Sequence, residues 1–203
     1  MGANIEIVNG TFTVWTAPVG EAFTDLSQAP AGNWAKVGTS GERHYGEDGV
    51  VLTFEQELTE KSYAGGTEIL AIRRTLERFK CAFNLFDLRS PQIVKAFNLA
   101  TTTNDTAPGA SAGGSQDFDV LRGLSVTSLA MLIRGENKSP DLVTENVQIE
   151  IPAVIQSANL EMVFNKADLA GVAFDLQAIA DYTYNSGNSP YGRIFIGDAA
   201  PTS

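Results

Sequence analysis

The sequence predicts an all-β protein, a β-sandwich or barrel with one flanking α-helix and long loops. Three observations carry that expectation. Apolar residues recur at every second position in several runs, the period of a strand with one buried face. Gly is frequent, at 19 of 203 residues, and charged residues make up only 19% of the chain, a balance that suits many strands joined by turns. One short segment alone has convincing helical spacing. About nine strands and one helix must then bury their faces by sheet-on-sheet or barrel packing. The length allows a sizeable core and one domain of this kind, or two small ones. No repeat period appears, and the low-complexity tract 101–117 interrupts a fold and need not divide two domains, so a single domain over residues 1–203 is expected.

Taken in order, Ile5 to Val8 and Thr11 to Thr16 are short strands joined by Asn9-Gly10, a strong hairpin signal. Residues 17–34 hold Pro18, Gly20, Pro30 and Gly32 and read as loop. A short strand from Trp34 to Gly38 leads into a polar bend, Thr39 to Gly49. Val50 to Leu58 alternates, with Val50, Leu52, Phe54, Gln56 and Leu58 on one face and Val51, Thr53, Glu55 and Glu57 on the other. Tyr63 to Thr67 is the turn, and a second extended run from Glu68 to Leu88 places Phe79, Cys81, Phe83 and Leu85 on one face. Ser90-Pro91 starts the helix: Ser suits the N-cap, and Pro at the first helical position gives up an N–H that would be unpaired anyway. Ile93, Phe97 and Ala100 lie along one side with Val94 beside them, so this helix should lie against the two preceding strands.

Residues 101–117 have no apolar side chain larger than alanine or proline and read as a flexible surface loop. Strands resume with Asp119 to Arg134 and then with residues 147–156. There Val147, Ile149, Ile151, Ala153 and Ile155 alternate against Gln148, Glu150, Pro152, Val154 and Gln156. Pro152 lacks the N–H a ladder requires, which puts this strand at a sheet edge or makes it bulged at that point. Leu169 to Tyr182 alternates again, with Asp175, Gln177 and Asp181 outward, and Arg193 to Ile196 reads as a last strand.

The chemistry-bearing residues are few. His44 is the only histidine and lies in the polar bend; Cys81 is the only cysteine and sits on an apolar strand face, where an inert buried thiol is expected. One His and one Cys leave no ligand set for the usual zinc site. There is no Gly-x-Ser-x-Gly elbow, and the glycine-rich 109–114 tract lacks the Gly-Lys-Ser/Thr ending of a phosphate loop. An enzyme, a metal and a cofactor are therefore not expected. The formal charge of −10 disfavours a protein that grips nucleic acid through its phosphates. No run of eighteen apolar residues occurs, so no membrane span is expected, and the first residues lack the pattern of a secretory signal.

Trp34-x-x-Val37-Gly38 followed by Tyr45-Gly46-Glu47-Asp48-Gly49-Val50 opens a strand rich in Thr and Glu. A second strand ends in Phe83-Asn84-Leu85-Phe86-Asp87-Leu88, and a short helix ends in Ala96-Phe97-Asn98-Leu99. This order resembles the major tail tube proteins of long-tailed phages with non-contractile tails, and gene transfer agent tail proteins are similar. The resemblance covers residues 34–100, and 120–182 by strand order. It rests on a turn-strand-strand-helix order, not on invariant catalytic residues.

The resemblance implies a virion structural protein made in the host cytoplasm. Its subunits form hexameric rings that stack into a tube around a tape-measure protein, capped by tail terminator and distal tail proteins. The tube then passes double-stranded DNA without specific binding. On that reading Glu55, Glu57, Glu150, Asp175 and Asp181 are the candidates for an acidic bore. Residues of the bend and the hairpin tip, Glu42, Arg43, His44, Tyr45, Lys61, Ser62 and Tyr63, are the candidates for contacts between rings. Ile93, Val94 and Phe97 pack the helix on the sheet. Two alternatives belong to other classes. One is a β-sandwich binding module for a glycan or receptor, of decoration or adhesin type, with Trp15, Trp34, Tyr182, Tyr184 and Tyr191 as aromatic platforms. The other is the tube protein of a contractile tail or type VI secretion system.

Overall fold

The computed structural model describes residues 12–38, 45–62, 68–86, 90–99, 104–106, 113–117, 120, 124–137, 145–157, 162 and 171–196. The elements are β1 (Phe12–Pro18), β2 (Ala35–Lys36), β3 (Tyr45–Lys61), β4 (Ala71–Leu85), α1 (Ser90–Phe97), β5 (Asn104–Thr106), β6 (Ser115–Asp117), β7 (Leu129–Asn137), β8 (Glu145–Gln156), β9 (Val172–Ala178) and β10 (Arg193–Ile196). The protein is mainly β with one helix, as the alternation of apolar residues requires. Eight strands form one antiparallel sheet in the order β2-β1-β7-β8-β9-β4-β3, with β10 also paired to β8.

The sheet is rolled. One face carries the main core, to which β1 gives Val14, β7 Met131 and Ile133, β8 Ile149 and Ile151, β9 Phe174 and Leu176, and β4 Cys81 and Phe83. The rings of Phe83 and Phe174 stack with centroids 4.6 Å apart. Residues from the first and last strands of the sheet reach the same core only if its ends curl toward each other. Tyr45 joins those ends: its hydroxyl donates to the Val37 carbonyl (2.8 Å) and accepts the Val14 N–H (3.1 Å). The roll is therefore closed by one side chain, where a barrel would use a strand ladder. A smaller cluster of Ala17, Trp34, Ala130 and Leu132 covers the opposite face of β1 and β7.

β8 sits at the centre of the sheet. On one side β7 runs along it; on the other β10 pairs with residues 147–150 and β9 with residues 154–156. Pro152 lies in the gap between the two, and the β7–β8 register slips at the same place, between Leu129/Met131. The missing N–H thus falls where no ladder bond is called for. The bulged alternative for this strand holds and the edge alternative does not. The edge positions belong to β2, β3 and β10, which pairs with β8 alone.

α1 lies on the main core through Ile93 and Phe97, with Ala96 fully buried. Val94 is half-buried and lines a small cavity between helix and sheet. The helix stops at Phe97, short of the expected Ala100. Asn98 adopts a left-handed φ of 50°, its N–H bonds the Lys95 carbonyl (3.2 Å), and the Leu99 N–H bonds that of Val94 (3.0 Å). That pair of bonds is the Schellman ending, and Asn tolerates its geometry.

Two further expectations are corrected. Within the 101–117 tract, Asn104–Thr106 and Ser115–Asp117 pair as a two-stranded sheet. The strand expected from Asp119 starts only at Leu129, and Val120, Leu124 and Val126 are exposed.

Candidate functional site

The most distinctive feature is an arm. β3 and β4 form a hairpin whose base belongs to the core and whose outer half leaves it. Leu52 pairs with Cys81 and Phe54 with Phe79; beyond them run Gln56 with Glu77, Leu58 with Arg74 and Glu60 with Ile72. Thr75 is an extra residue between Leu58/Arg74 and Glu57/Leu76, and its hydroxyl donates to the Glu57 carbonyl (3.3 Å). The Leu70 N–H bonds the Lys61 carbonyl (2.8 Å) at the outer end. The alternation that reads as one buried face is present throughout, but the core ends near Leu52. Phe54 is 56% exposed, Leu58 53% and Ile72 58%, and Ile69 and Leu70 are exposed as well. Phe54 still meets Phe79, their ring centroids 6.2 Å apart, and lines a cleft with Tyr191 and Ile194. Leu58 and Ile72 lie beyond it on the same face, and large apolar residues exposed in this way mark an interaction surface. β3 also presents a free strand edge for pairing.

The Leu58 face is not purely apolar, since Gln56, Glu60, Arg74 and Glu77 share it and Arg74 Nη1 lies 3.6 Å from Glu77 Oε2. The other face of the arm carries more charge. Glu55 and Glu57 share it with Lys61, Arg73, Arg78 and Lys80, as the register shows. Lys80 Nζ contacts Glu55 Oε1 at 2.8 Å. Four cations against two carboxylates make this face basic on balance, so Glu55 and Glu57 do not stand on an acidic face. Lys61 and Ser62 are exposed at the outer end of the arm. Tyr45 is instead turned inward as the closing hydroxyl, bonded to Val37 and Val14. Burial pushes its pKa up to about 12. Glu42, Arg43, His44 and Tyr63 lie outside the described residues.

Glu150 is a correction of a different kind. It was expected on an outward, solvated face; it is 3% exposed. Both faces of β8 are buried from Val147 to Val154. Residues 20–26 and the turn around Tyr184 cover the polar face, leaving a cleft of about 600 Å³. Glu150 Oε2 accepts from the Tyr184 hydroxyl and from Arg193 Nη2 (3.3 Å), and Oε1 accepts from Gln148 Nε2 (2.6 Å). Gln148 Oε1 in turn accepts from Arg134 Nε (2.7 Å). Arg134 Nη2 also donates to the carbonyls of Thr24 (3.1 Å) and Asp25 (2.8 Å), pinning the 20–26 segment. Arg193 stacks on the ring of Phe195, 4.6 Å from its centroid. Burial, and then the bond to Glu150, push the Tyr184 hydroxyl up to about 12. A buried carboxylate with this many partners is a structural tie, unavailable to a bore.

Arg134, Gln148 and Arg193 were not singled out from sequence, and Tyr184 was named only as an aromatic platform. Their signal is register: Arg134 lies directly opposite Gln148, and Arg193 directly opposite Glu150. Asp175 is half-buried, and its carbonyl accepts from the Ser157 N–H (2.9 Å). Asp181 accepts from the Thr183 hydroxyl (2.6 Å) and N–H (2.8 Å), which hold its pKa below the usual carboxylate range. Asp181 lines the rim of the Glu150 cleft. The five acidic candidates thus occupy three separate environments.

Cys81 is buried, and that burial pushes its thiol up to about 12, as expected of an inert side chain. Among the described residues no group of His, Cys, Asp and Glu is arranged to hold a metal ion, and no helix is long and apolar enough to cross a membrane. Neither a family model nor a curated protein matches the chain.

Proposed function

We propose that this chain is a structural tail tube subunit of the kind found in long-tailed, non-contractile phages and gene transfer agents. Copies associate into hexameric rings, and rings stack into a conduit for DNA around a tape-measure protein. One observation carries the reading: beyond the Phe54–Phe79 ring contact, the β3–β4 arm displays Leu58, Ile69, Leu70 and Ile72 outside the core. A two-stranded ribbon is marginal alone in water, and these side chains gain stability only by burial on another molecule. A second copy always supplies that molecule, and closure of a ring removes exposed edges. The same arm suits the tube of a contractile tail or a type VI secretion system.

Negative-stain microscopy of concentrated protein tests this. Rings or tubes with a central bore are expected. A species that stays monomeric by light scattering, with and without tape-measure protein, overturns the reading. The Glu150 cleft favours a second reading, a binding module, because its volume of about 600 Å³ falls in the range of small-molecule sites and Phe23, Tyr184 and Phe195 line it. A monomer that binds a glycan selects that reading.

A further inference from the structure

A smaller cavity, of about 100 Å³, lies between α1 and the sheet. Its walls are mostly core side chains, among them Phe83, Leu129, Phe174 and Leu176. Two hydrogen-bond donors belong to the same walls and have nothing negative to meet. Lys95 Nζ donates to Thr16 Oγ1 (3.0 Å), and no carboxylate among the described residues pairs with it. Gln156 uses Oε1 to accept the Asp175 N–H (3.3 Å), which fixes the orientation of the amide and leaves Nε2 buried without an acceptor. A lysine in the last turn of a helix ordinarily eases the helix dipole from the surface. Lys95 does otherwise. It reaches β1, 79 positions away in sequence, and burial pulls its pKa down.

An ammonium normally keeps its water, and a desolvated one without a counter-charge is costly. An unpaired amide N–H₂ on a residue lining the same cavity adds to that cost. What lowers both is a carboxylate, through charge-assisted hydrogen bonds. What fills the remaining space is an aliphatic stem, through its desolvation. A neutral hydrocarbon leaves Lys95 unpaired, and an inorganic anion leaves the apolar walls unmatched. A dry cavity of about 150 Å³ takes the six carbons of benzene, so this one holds about four to six non-hydrogen atoms.

We propose that the cavity beneath α1 is a binding site for a short aliphatic carboxylate, with Lys95 and Gln156 as its donors. Two sources carry that chemistry: a free short-chain acid, or an Asp or Glu side chain of another copy, of which the sequence has 24. The site stands on its own geometry and does not require the tube reading.

The test titrates the wild-type protein with butyrate, 1-butanol and butylamine while following Lys95 Nζ by NMR. Butyrate is expected to saturate, to raise the Lys95 pKa back toward its ordinary value and to raise the melting temperature; the alcohol and the amine do neither. Lys95→Met weakens butyrate binding about tenfold or more, and Lys95→Arg retains part of it. If a second copy is the source, butyrate weakens self-association, and a zero-length carbodiimide couples Lys95 to a carboxylate of another copy. The proposal is overturned if Lys95 shows neither a saturable response to butyrate nor a coupling between copies. Binding that survives Lys95→Met unchanged overturns it too. The wild-type titration decides the matter even if Lys95→Met does not fold, and a monomeric protein leaves the butyrate arm intact.

Discussion

At the scale of single residues, the fold depends on polar groups placed where sequence alone gives apolar strands. Tyr45 is the clearest. Tyr45→Phe removes a hydroxyl that serves the Val14 N–H and the Val37 carbonyl, and leaves both without that partner. The expected cost is about 1–3 kcal/mol, read from denaturant unfolding. The pH dependence follows from the same burial. Tyr45 and Tyr184 are raised from 10.0, and Cys81 from 9.0, each to about 12 in the fold. A raised pKa means that the folded state holds the proton more tightly than the unfolded chain. Stability from these groups is full below about pH 9 and falls as pH rises toward 12. Melting temperatures across that range should drop, and more gently in Tyr45→Phe; a flat profile contradicts the burial argument. The two acidic residues once grouped together now separate. Glu150→Lys sets an ammonium beside Arg193 in a closed site and should cost at least about 3–5 kcal/mol. Glu57→Lys, on the exposed arm, should stay within about 0.5 kcal/mol. Equal melting temperatures for the two variants refute the placement of Glu150.

At the scale of elements, the helix and the arm behave oppositely. Phe97 is half-buried against the core, so Phe97→Ala should cost about 2–3 kcal/mol, less than the about 3–5 of a fully enclosed ring. The arm touches almost nothing. Removing residues 58–75 and joining Glu57 to Leu76 through Asn-Gly, a good hairpin turn, should leave the melting temperature of the monomer unchanged and abolish self-association. Rings or tubes of normal appearance from that variant rule out the arm as the contact. These elements also show what the sequence discloses. β9 was legible because one of its faces is wet, and its burial alternates as its apolar residues do. α1 was legible from its spacing and Pro91. β8 was read for one face only, because Gln148 and Glu150 look solvated until residues 20–26 and the turn around Tyr184 are brought over them. Alternation says which residues share a face, but not whether anything lies on that face. Hence Leu58 reads as core and is exposed, while Glu150 reads as exposed and is core. The end of α1 was missed because an Asn in the left-handed region stops a helix as well as a Gly does. The Lys95 cavity had no sequence signal, since Lys in a last helical turn is ordinary.

At the scale of the whole molecule, the question is what opposes and what drives assembly. Each chain carries a net charge of −10. Bringing like-charged copies together costs free energy that salt reduces, since the screening length shrinks from about 30 Å at 0.01 M to about 8 Å at 0.15 M. The arm offers a driving force of another kind. Phe54, Leu58, Ile69, Leu70 and Ile72 are apolar, and their burial is roughly proportional to area and does not depend on opposite charges. Its other face is basic on balance and is the one part of this surface suited to an acidic neighbour. These two modes of contact predict opposite salt dependences. If the apolar face makes the contact, repulsion between chains is the main electrostatic effect, and rings should form more readily as salt rises. If Arg73, Arg78 and Lys80 hold a neighbour's carboxylates instead, association should weaken as salt rises. Exposed Phe54, Leu58 and Ile72 share one face in the register, while the charged face has one cation fewer to offer because Lys80 is already held by Glu55. Association promoted by salt is therefore the expected result, measured by sedimentation velocity from low to high sodium chloride at fixed protein concentration. Leu58→Ser combined with Ile72→Ser should then shift the whole curve toward monomer at every salt. Association that falls steadily with salt, and is unmoved by those two changes, assigns the contact to the charged face instead.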